Sequence, residues 1–419
     1  MSVPDAHRAI RAIWRIESAR LVAGVARLVR DVGLAEELAQ DALVAALERW
    51  PGSGVPDTPG AWLAATARRK AIDALRRRKV AAREREELGR ELADREEAAP
   101  GLDEAIDQDV GDDLLRLVLV ACHPVLPAEG RVALTLRLLG GLATDEIARA
   151  FLVPEPTVAQ RIVRAKRTLS EARVPFEVPR GAALGERLSS VLEVIYLVFN
   201  EGYAATAGED WMRPALCEEA LRLGRILVGL VPGEPEAHGL LALMELQASR
   251  GRARIGARGE AVLLLEQDRG RWDHLAIGRG LAALARAEAL GGGRGPYALQ
   301  AAIAACHARA RAADETDWPR IATLYARLAE VTRSPVVELN RAVAVAMAHG
   351  PAAGLAVADA LREHPALQGY QHLPSVRGEL LARLGRLDEA RAELERAASL
   401  TRNAREREVL LARAARLGA

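Results

Sequence analysis

Residues 142–169 read LATDEIARAFLVPEPTVAQRIVRAKRTL, the pattern of a helix-turn-helix. Ile147, Ala148 and Phe151 recur at helical spacing; Thr144 stands where it can cap a first short helix, and Glu146 adds negative charge at that helix's positive end. Pro154 and Pro156 end it, because proline lacks a backbone N–H and restricts the residue before it, while Pro156 also suits the first turn of a new helix. The spacing predicts that the second helix starts near Thr157. Its apolar residues Val158, Ile162, Ala165 and Leu169 form one stripe, leaving Thr157, Gln160, Arg161, Arg164, Lys166 and Arg167 to project elsewhere. Cationic and amide side chains at the start of such a helix suit the edges of bases in a major groove. Standing alone, an Arg-rich amphipathic helix describes a solvated face equally well; the short capped helix, the proline-marked turn and the polar start together favour a DNA reader.

The chain around this motif has 419 residues, room for two or three domains. Hydrophobic residues make up 50% and aromatics only 3%, which predicts an all-α protein with cores of small residues between helices. A net charge of +1 decides nothing about nucleic acid, so the distribution of charge must. Cys122, Cys217 and Cys306 are far apart and lack metal-ligand spacing, as expected of buried thiols in a reducing compartment. The opening MSVPDAHRAI lacks the apolar core of a signal peptide, and no apolar run reaches the length of a membrane span. The expectation is a cytoplasmic protein without a membrane partner, metal or cofactor.

Upstream, residues 7–30 form an amphipathic helix pattern with Ile10, Ile13, Trp14, Leu21, Val25 and Leu28 inward. A second pattern, Leu34 to Trp50, turns Leu38, Ala42, Leu43 and Leu47 inward and presents Glu36, Glu37, Gln40, Asp41 and Glu48 outward. PGSGVPDTPG breaks it. A third helix from Pro59 or Gly60 carries AWLAATARRKAIDALRRRK, whose basic cluster beside Trp62, Leu63, Ile72 and Leu75 suggests phosphate contact; a basic helix end also satisfies the helix dipole.

The ordered series DVGLAEELAQDALVAALERW, PGAWLAATARRKAIDALRRRK and the helix-turn-helix resembles bacterial sigma factors of the extracytoplasmic-function (ECF) group. The resemblance implies a first helical domain, region two, that binds the β′ clamp helices of core RNA polymerase and opens the minus-ten promoter element. It implies a second, region four, that binds the β flap and reads the minus-thirty-five element. By position, Asp31, Glu37, Gln40 and Asp41 fall in the stretch similar to the polymerase-binding helix. Trp62, Arg68, Arg69, Lys70, Asp73, Arg76 and Arg77 fall in the stretch similar to the minus-ten reader, and Thr157, Gln160, Arg161, Arg164, Lys166 and Arg167 in the recognition helix. Members of the group commonly carry RN where this chain has Arg68 and Arg69, so the asparagine of that pattern is absent.

These readings divide the chain into region two at 5–85, an acidic linker at 86–111, region four at 112–175 and a C-terminal domain at 185–419. The linker composition is that of a solvated segment; the resemblance implies a segment that enters the polymerase channels. Cys122 and His123 lie between two helices of region four, with no further ligand at suitable spacing for a metal. The extension shows successive helical segments from Leu188 to Leu400, and Gly350 and Gly385, about 35 residues apart, approximate a tetratricopeptide period; an irregular helical bundle is the alternative. YLVFNEGYAAT (Tyr196 to Thr206) and LLEQDRGRWD (Leu264 to Asp273) resemble segments of ECF sigma factors with a fused tetratricopeptide-like domain, which implies a regulatory role. Asn200, Glu201, Tyr203, Glu266, Asp268, Arg269 and Asp273 offer polar chemistry without a nucleophile–base pair or phosphate loop, so the expectation is residues that lock turns and not an enzyme. A peptide or small-ligand site in the C-terminal domain stays open. The second functional reading is a ligand-responsive DNA-binding activator that never joins polymerase.

Overall fold

A computed structural model describes residues 3–88, 110–204, 212–256, 262–401 and 404–417. Eighteen α-helices and no strand occur among them, as the composition predicts. The chain divides into two compact units, residues 1–197 and 198–419.

The first unit opens with α1 (Val3–Val29), α2 (Val32–Ser53) and α3 (Pro59–Leu88), each packed on the other two. Alanines at 35, 39, 42 and 46 are fully buried along α2, so the helices approach closely around Ile10, Leu38, Trp50 and Leu63. Two expectations for α2 are corrected. Leu47 is 37% exposed, because Ala46 and Trp50 take the inward stripe; Glu36, expected outward, is 4% exposed. Four helices follow: α4 (Val110–Ala121), α5 (Ala128–Leu138), α6 (Thr144–Phe151) and α7 (Glu155–Glu171). Thr144 is the first residue of α6 and not its cap; Ala143 holds the cap position, and its N–H donates to the Glu146 carboxylate at 2.8 Å. Leu152, in a left-handed conformation (φ 50°), ends α6 two residues before Pro154. α7 starts at Glu155, earlier than its apolar stripe suggests, with Pro156 in its first turn.

α8 (Ala182–Tyr203) crosses from the first unit into the second. Its early part is fastened to α4, α5 and the turn between them: Arg131 donates to Ser190 (2.5 Å) and Glu193 (2.8 Å), Ser190 to the Cys122 carbonyl (2.5 Å) and Arg187 to the Leu119 carbonyl (3.3 Å).

The second unit continues with α9 (Pro214–Leu230), α10 (Pro235–Ala248), α11 (His274–Ala289), α12 (Pro296–Arg309), α13 (Trp318–Thr332) and α14 (Pro335–His349). It ends with α15 (Pro351–Asp359), α16 (His372–Arg383), α17 (Leu387–Leu400) and α18 (Ala404–Arg416). From α12 onward each helix packs on the next, and α10 packs on α9, α11 and α12. Proline opens α9, α10, α12, α14 and α15, where its missing N–H costs nothing. Gly350 (φ 94°) ends α14, and Gly385 (φ 77°) follows α16, conformations that side chains resist. At Gly239 a β-carbon would stand 2.7 Å from the Ala298 nitrogen, so glycine there lets α10 and α12 touch. Glu245, 1% exposed on α10, receives Arg225 at 2.6 Å and Arg279 at 2.9 Å. No described helix is long and apolar enough to cross a membrane.

Candidate nucleic-acid interface

α6 and α7 form the helix-turn-helix, with Val158, Ile162, Ala165 and Leu169 buried along one side of α7. That stripe fixes which side chains face solvent. Gln160, Arg164 and Arg167 are exposed, whereas Thr157 and Arg161 are half-buried at the edge of the stripe. Arg167 donates to Glu171 one turn on at 2.7 Å, an exposed pair worth little to the fold. Lys166 differs from the rest: it turns back to Glu36 on α2.

On α3, Trp62 packs edge-on against buried Trp50, ring centroids 5.3 Å apart at 67°. Arg68 and Lys70 are half-buried; Arg69, Asp73, Arg76 and Arg77 are exposed and continue into Arg78 and Lys79. α3 thus offers a run of guanidinium and ammonium groups to solvent beside one anchored aromatic, the arrangement that holds phosphates while a ring stacks on a base. On α2, Asp31 caps the helix by accepting the Leu34 N–H at 2.9 Å. Glu37 and Asp41 are exposed, Asp41 lies 3.4 Å from Lys70, and Gln40 donates to Glu36 at 2.5 Å.

Glu36 is the residue that sequence reasoning placed on the wrong side. Arg137 of α5 donates to its Oε1 at 2.6 Å, and Lys166 lies against Oε2 as an ion pair outside hydrogen-bond geometry. Arg27 of α1 meets Asp113 of α4 at 3.2 Å, and Arg116 meets the same carboxylate at 2.6 Å. A β-carbon on Gly141 would stand 2.8 Å from Ser18 Oγ. The helices of α1–α3 and those of α4–α7 therefore meet through these charged and small residues as well as through the packing of α1 on α4. None of these partners lies within 80 residues of the other across that seam, so no local pattern announces them.

The remaining candidate chemistry lies in other settings. Cys122 is buried beside Thr135 (3.2 Å), and burial pushes its thiol up to about 12. Burial, with Arg187 nearby, pushes His123 down to about 4. In the second unit, Asp268 accepts the Gly270 N–H and Asp273 caps α11 through the Leu275 and Ala276 N–H groups, bonds that hold the Asp273 carboxyl below its ordinary range. Arg269 donates to the His307 and Ala310 carbonyls and to Thr316, while Arg254 lies over the Tyr203 ring at 3.8 Å. Glu201 pairs with Arg213. These groups lock turns to helices. No group of three or more His, Cys, Asp or Glu among the described residues is disposed to hold a metal ion. Most of the acidic linker (89–109), and Ala205 and Thr206 of the YLVFNEGYAAT segment, lie outside the described residues.

Residues 16–80 match the sigma-70 region 2 family, residues 116–169 the sigma-70 region 4 family, and residues 187–288 a family of unknown function, DUF6596. Uncharacterized protein R00370 of Rhizobium meliloti (strain 1021) is 47% identical over 383 residues, 91% of this chain and 89% of that protein. The probable ECF RNA polymerase sigma factor SigI of Mycobacterium tuberculosis (strain ATCC 25618 / H37Rv) is 29% identical over 175 residues, 41% of this chain and 58% of that protein. The chain belongs to one family with the Rhizobium protein, and it joins ECF-type sigma-70 regions 2 and 4 to a C-terminal DUF6596 domain.

Proposed function

We propose that this chain is a transcription initiation factor that binds core RNA polymerase in the cytoplasm and directs it to promoters. The observation that carries the reading is one chain presenting an exposed basic run on α3 and an exposed polar and cationic face on α7, each inside a matching sigma-70 region. Gln160, Arg161 and Arg164, with Thr157 and Arg167, read the minus-thirty-five element from the major groove. Arg68, Arg69, Lys70, Arg76 and Arg77 hold phosphates of the minus-ten element while Trp62 and its surroundings receive an unstacked base; Asp73 limits the charge there. Glu37, Gln40 and Asp41, with Asp31 at the helix start, present the acidic surface to the β′ clamp helices, and region 4 binds the β flap. The work is differential binding, with no bond made or broken by this chain.

The C-terminal domain, a tetratricopeptide-like stack in this reading, controls that activity and offers a surface for a peptide or small ligand. Support comes from helices that pack mainly on their sequence neighbours and from left-handed glycines at matching ends of α14 and α16. The test is promoter-dependent transcription with purified core polymerase, comparing the full chain with one ending at Leu197, since α8 up to that point is fastened to region 4. Transcription by the full chain alone makes the extension an activating part; transcription by the shorter chain alone makes it an inhibitor. Specific DNA binding without transcription by either would replace this reading with the ligand-responsive activator.

A further inference from the structure

The outward face of α7 is not wholly polar. Val163 is 64% exposed, the most of any large apolar side chain in region 4 among the described residues. Its neighbours on that face are Ala159, one turn earlier, and Gln160, Arg164 and Arg167, all of them exposed. Residues three, four and seven apart share one side of a helix, so these five form a continuous surface. At about 100° per residue, Ala159 and Val163 fall on one shoulder of it and Arg161 and Arg164 on the other, with Gln160 and Arg167 between them.

Packing does not require valine there. The buried stripe of α7 is complete with Val158, Ile162, Ala165 and Leu169. A β-branched residue at an exposed helical position gains little from packing and has a lower helix propensity than alanine, lysine or glutamate. Single apolar side chains scattered over a surface are ordinary. Val163 is placed differently: it stands beside Ala159 in the first three turns of the second helix of a helix-turn-helix, where side chains meet base edges. The one methyl group in a major groove is the C5 methyl of thymine. Gln160 suits adenine and Arg164 suits guanine, so an apolar shoulder beside them is matched by thymine and by no other base. The cations of α7 fit the same occupant, because phosphates border the groove on both sides.

We infer that Val163, with Ala159 beside it, is a specificity-determining surface that selects a thymine of the minus-thirty-five element through its C5 methyl group. This rests on the initiation-factor reading and adds a base identity that the polar residues of α7 do not supply. Removing one methyl-sized group from water is worth about fourfold in affinity. Valine presents two methyl groups on a stiff side chain, so the contact orders no long flexible stem.

The test measures binding of the full chain on core polymerase to the duplex that it selects from a random library. Each thymine is replaced in turn by deoxyuridine, which differs only in lacking the C5 methyl. One replacement in the minus-thirty-five element should weaken the parent about fourfold. Val163→Ser should bind the thymine duplex about as weakly as the parent binds that deoxyuridine duplex, and should lose little more when the methyl is removed. Val163→Thr, which keeps one methyl group, should remain sensitive to it. Both variants should melt with the parent, because the position is exposed. A parent indifferent to every such replacement, or a Val163→Ser protein as sensitive as the parent, overturns the role of Val163 and leaves promoter selection in place. A parent that prefers no duplex to a scrambled one overturns the initiation-factor reading and the inference with it.

Discussion

Replacing Arg164 with alanine separates what a residue does for the fold from what it does for DNA. Arg164 is exposed on α7 and makes no hydrogen bond or ion pair among the described residues, so its loss should change stability by less than about 0.5 kcal/mol. A bidentate contact from arginine to a guanine is worth about 1–3 kcal/mol, roughly five- to 150-fold in Kd. The assay is fluorescence anisotropy on a duplex that the parent protein and core polymerase select from a random library, with a scrambled duplex as control. Arg164→Ala should weaken binding to the selected duplex by that factor and to the scrambled duplex far less, with the melting temperature unchanged. If both duplexes weaken equally and the slope of log K against log salt drops by about one, Arg164 holds a phosphate and the base-reading assignment is wrong. A melting temperature lowered by several degrees would refute the premise that the side chain is energetically idle in the fold.

Other expectations follow from the same geometry. Asp41→Lys should leave stability within about 0.5 kcal/mol, since its pair with Lys70 is exposed, yet weaken association with core polymerase in a pull-down; unchanged association removes Asp41 from the contact face. Gly239→Ala forces a β-carbon against the Ala298 backbone and should cost about 1–3 kcal/mol, whereas Gly278→Ala, in open space on α11, should gain about 0.5–1 kcal/mol; calorimetry of the two variants should show melting shifts of opposite sign. His307 is buried against Trp318, and burial, aided by Arg250 and Arg269, pushes it down to about 4. The unfolded chain takes up that proton near pH 6.5 and the folded one near pH 4, so stability should fall by up to about 3 kcal/mol as pH drops through this window. Denaturant titrations of the parent and His307→Phe should diverge by that amount, and parallel curves would show that His307 titrates normally.

What the sequence made legible is what repeats locally. The apolar stripe of α7 and the helices of the extension follow from 3.6-residue periodicity, and their ends from proline and glycine, because side chains three and four apart choose a common face without reference to the rest of the chain. α18 escaped that reading: nine charged residues and alanines surround Leu410 and Ala414, which are buried, and a short stripe in so polar a segment carries little signal. The interface was legible as residue types and not as pairings. Lys166 borders the stripe and reads as one more exposed cation, while Glu36 sits next to Glu37 and reads as part of an acidic face. What turned both inward is a helix packed from 101 positions away, as the bond between Arg137 and Glu36 makes plain. Thr144 shows the smaller failure: Ser and Thr lead at helix caps, but the Glu146 carboxylate can satisfy the free N–H from inside the helix, and Ala143 then suffices.

α8 has a bearing on descent as well as on architecture. A domain added to a shorter ancestor usually arrives behind a linker, and such a fusion can be exchanged between relatives without repair. Here the first turns of the extension are wedded to region 4 by Arg131, Ser190, Glu193 and Arg187, and the last turn, with Phe199 stacked on Tyr203, belongs to the second unit. A chimera joined ahead of Ala182 would bring a foreign helix to a seat shaped for the native one. Arg131 and Ser190 should therefore be inherited as a linked pair wherever this extension travels, and grafts that keep α8 with its own region 4 up to Leu197 should be the ones that fold.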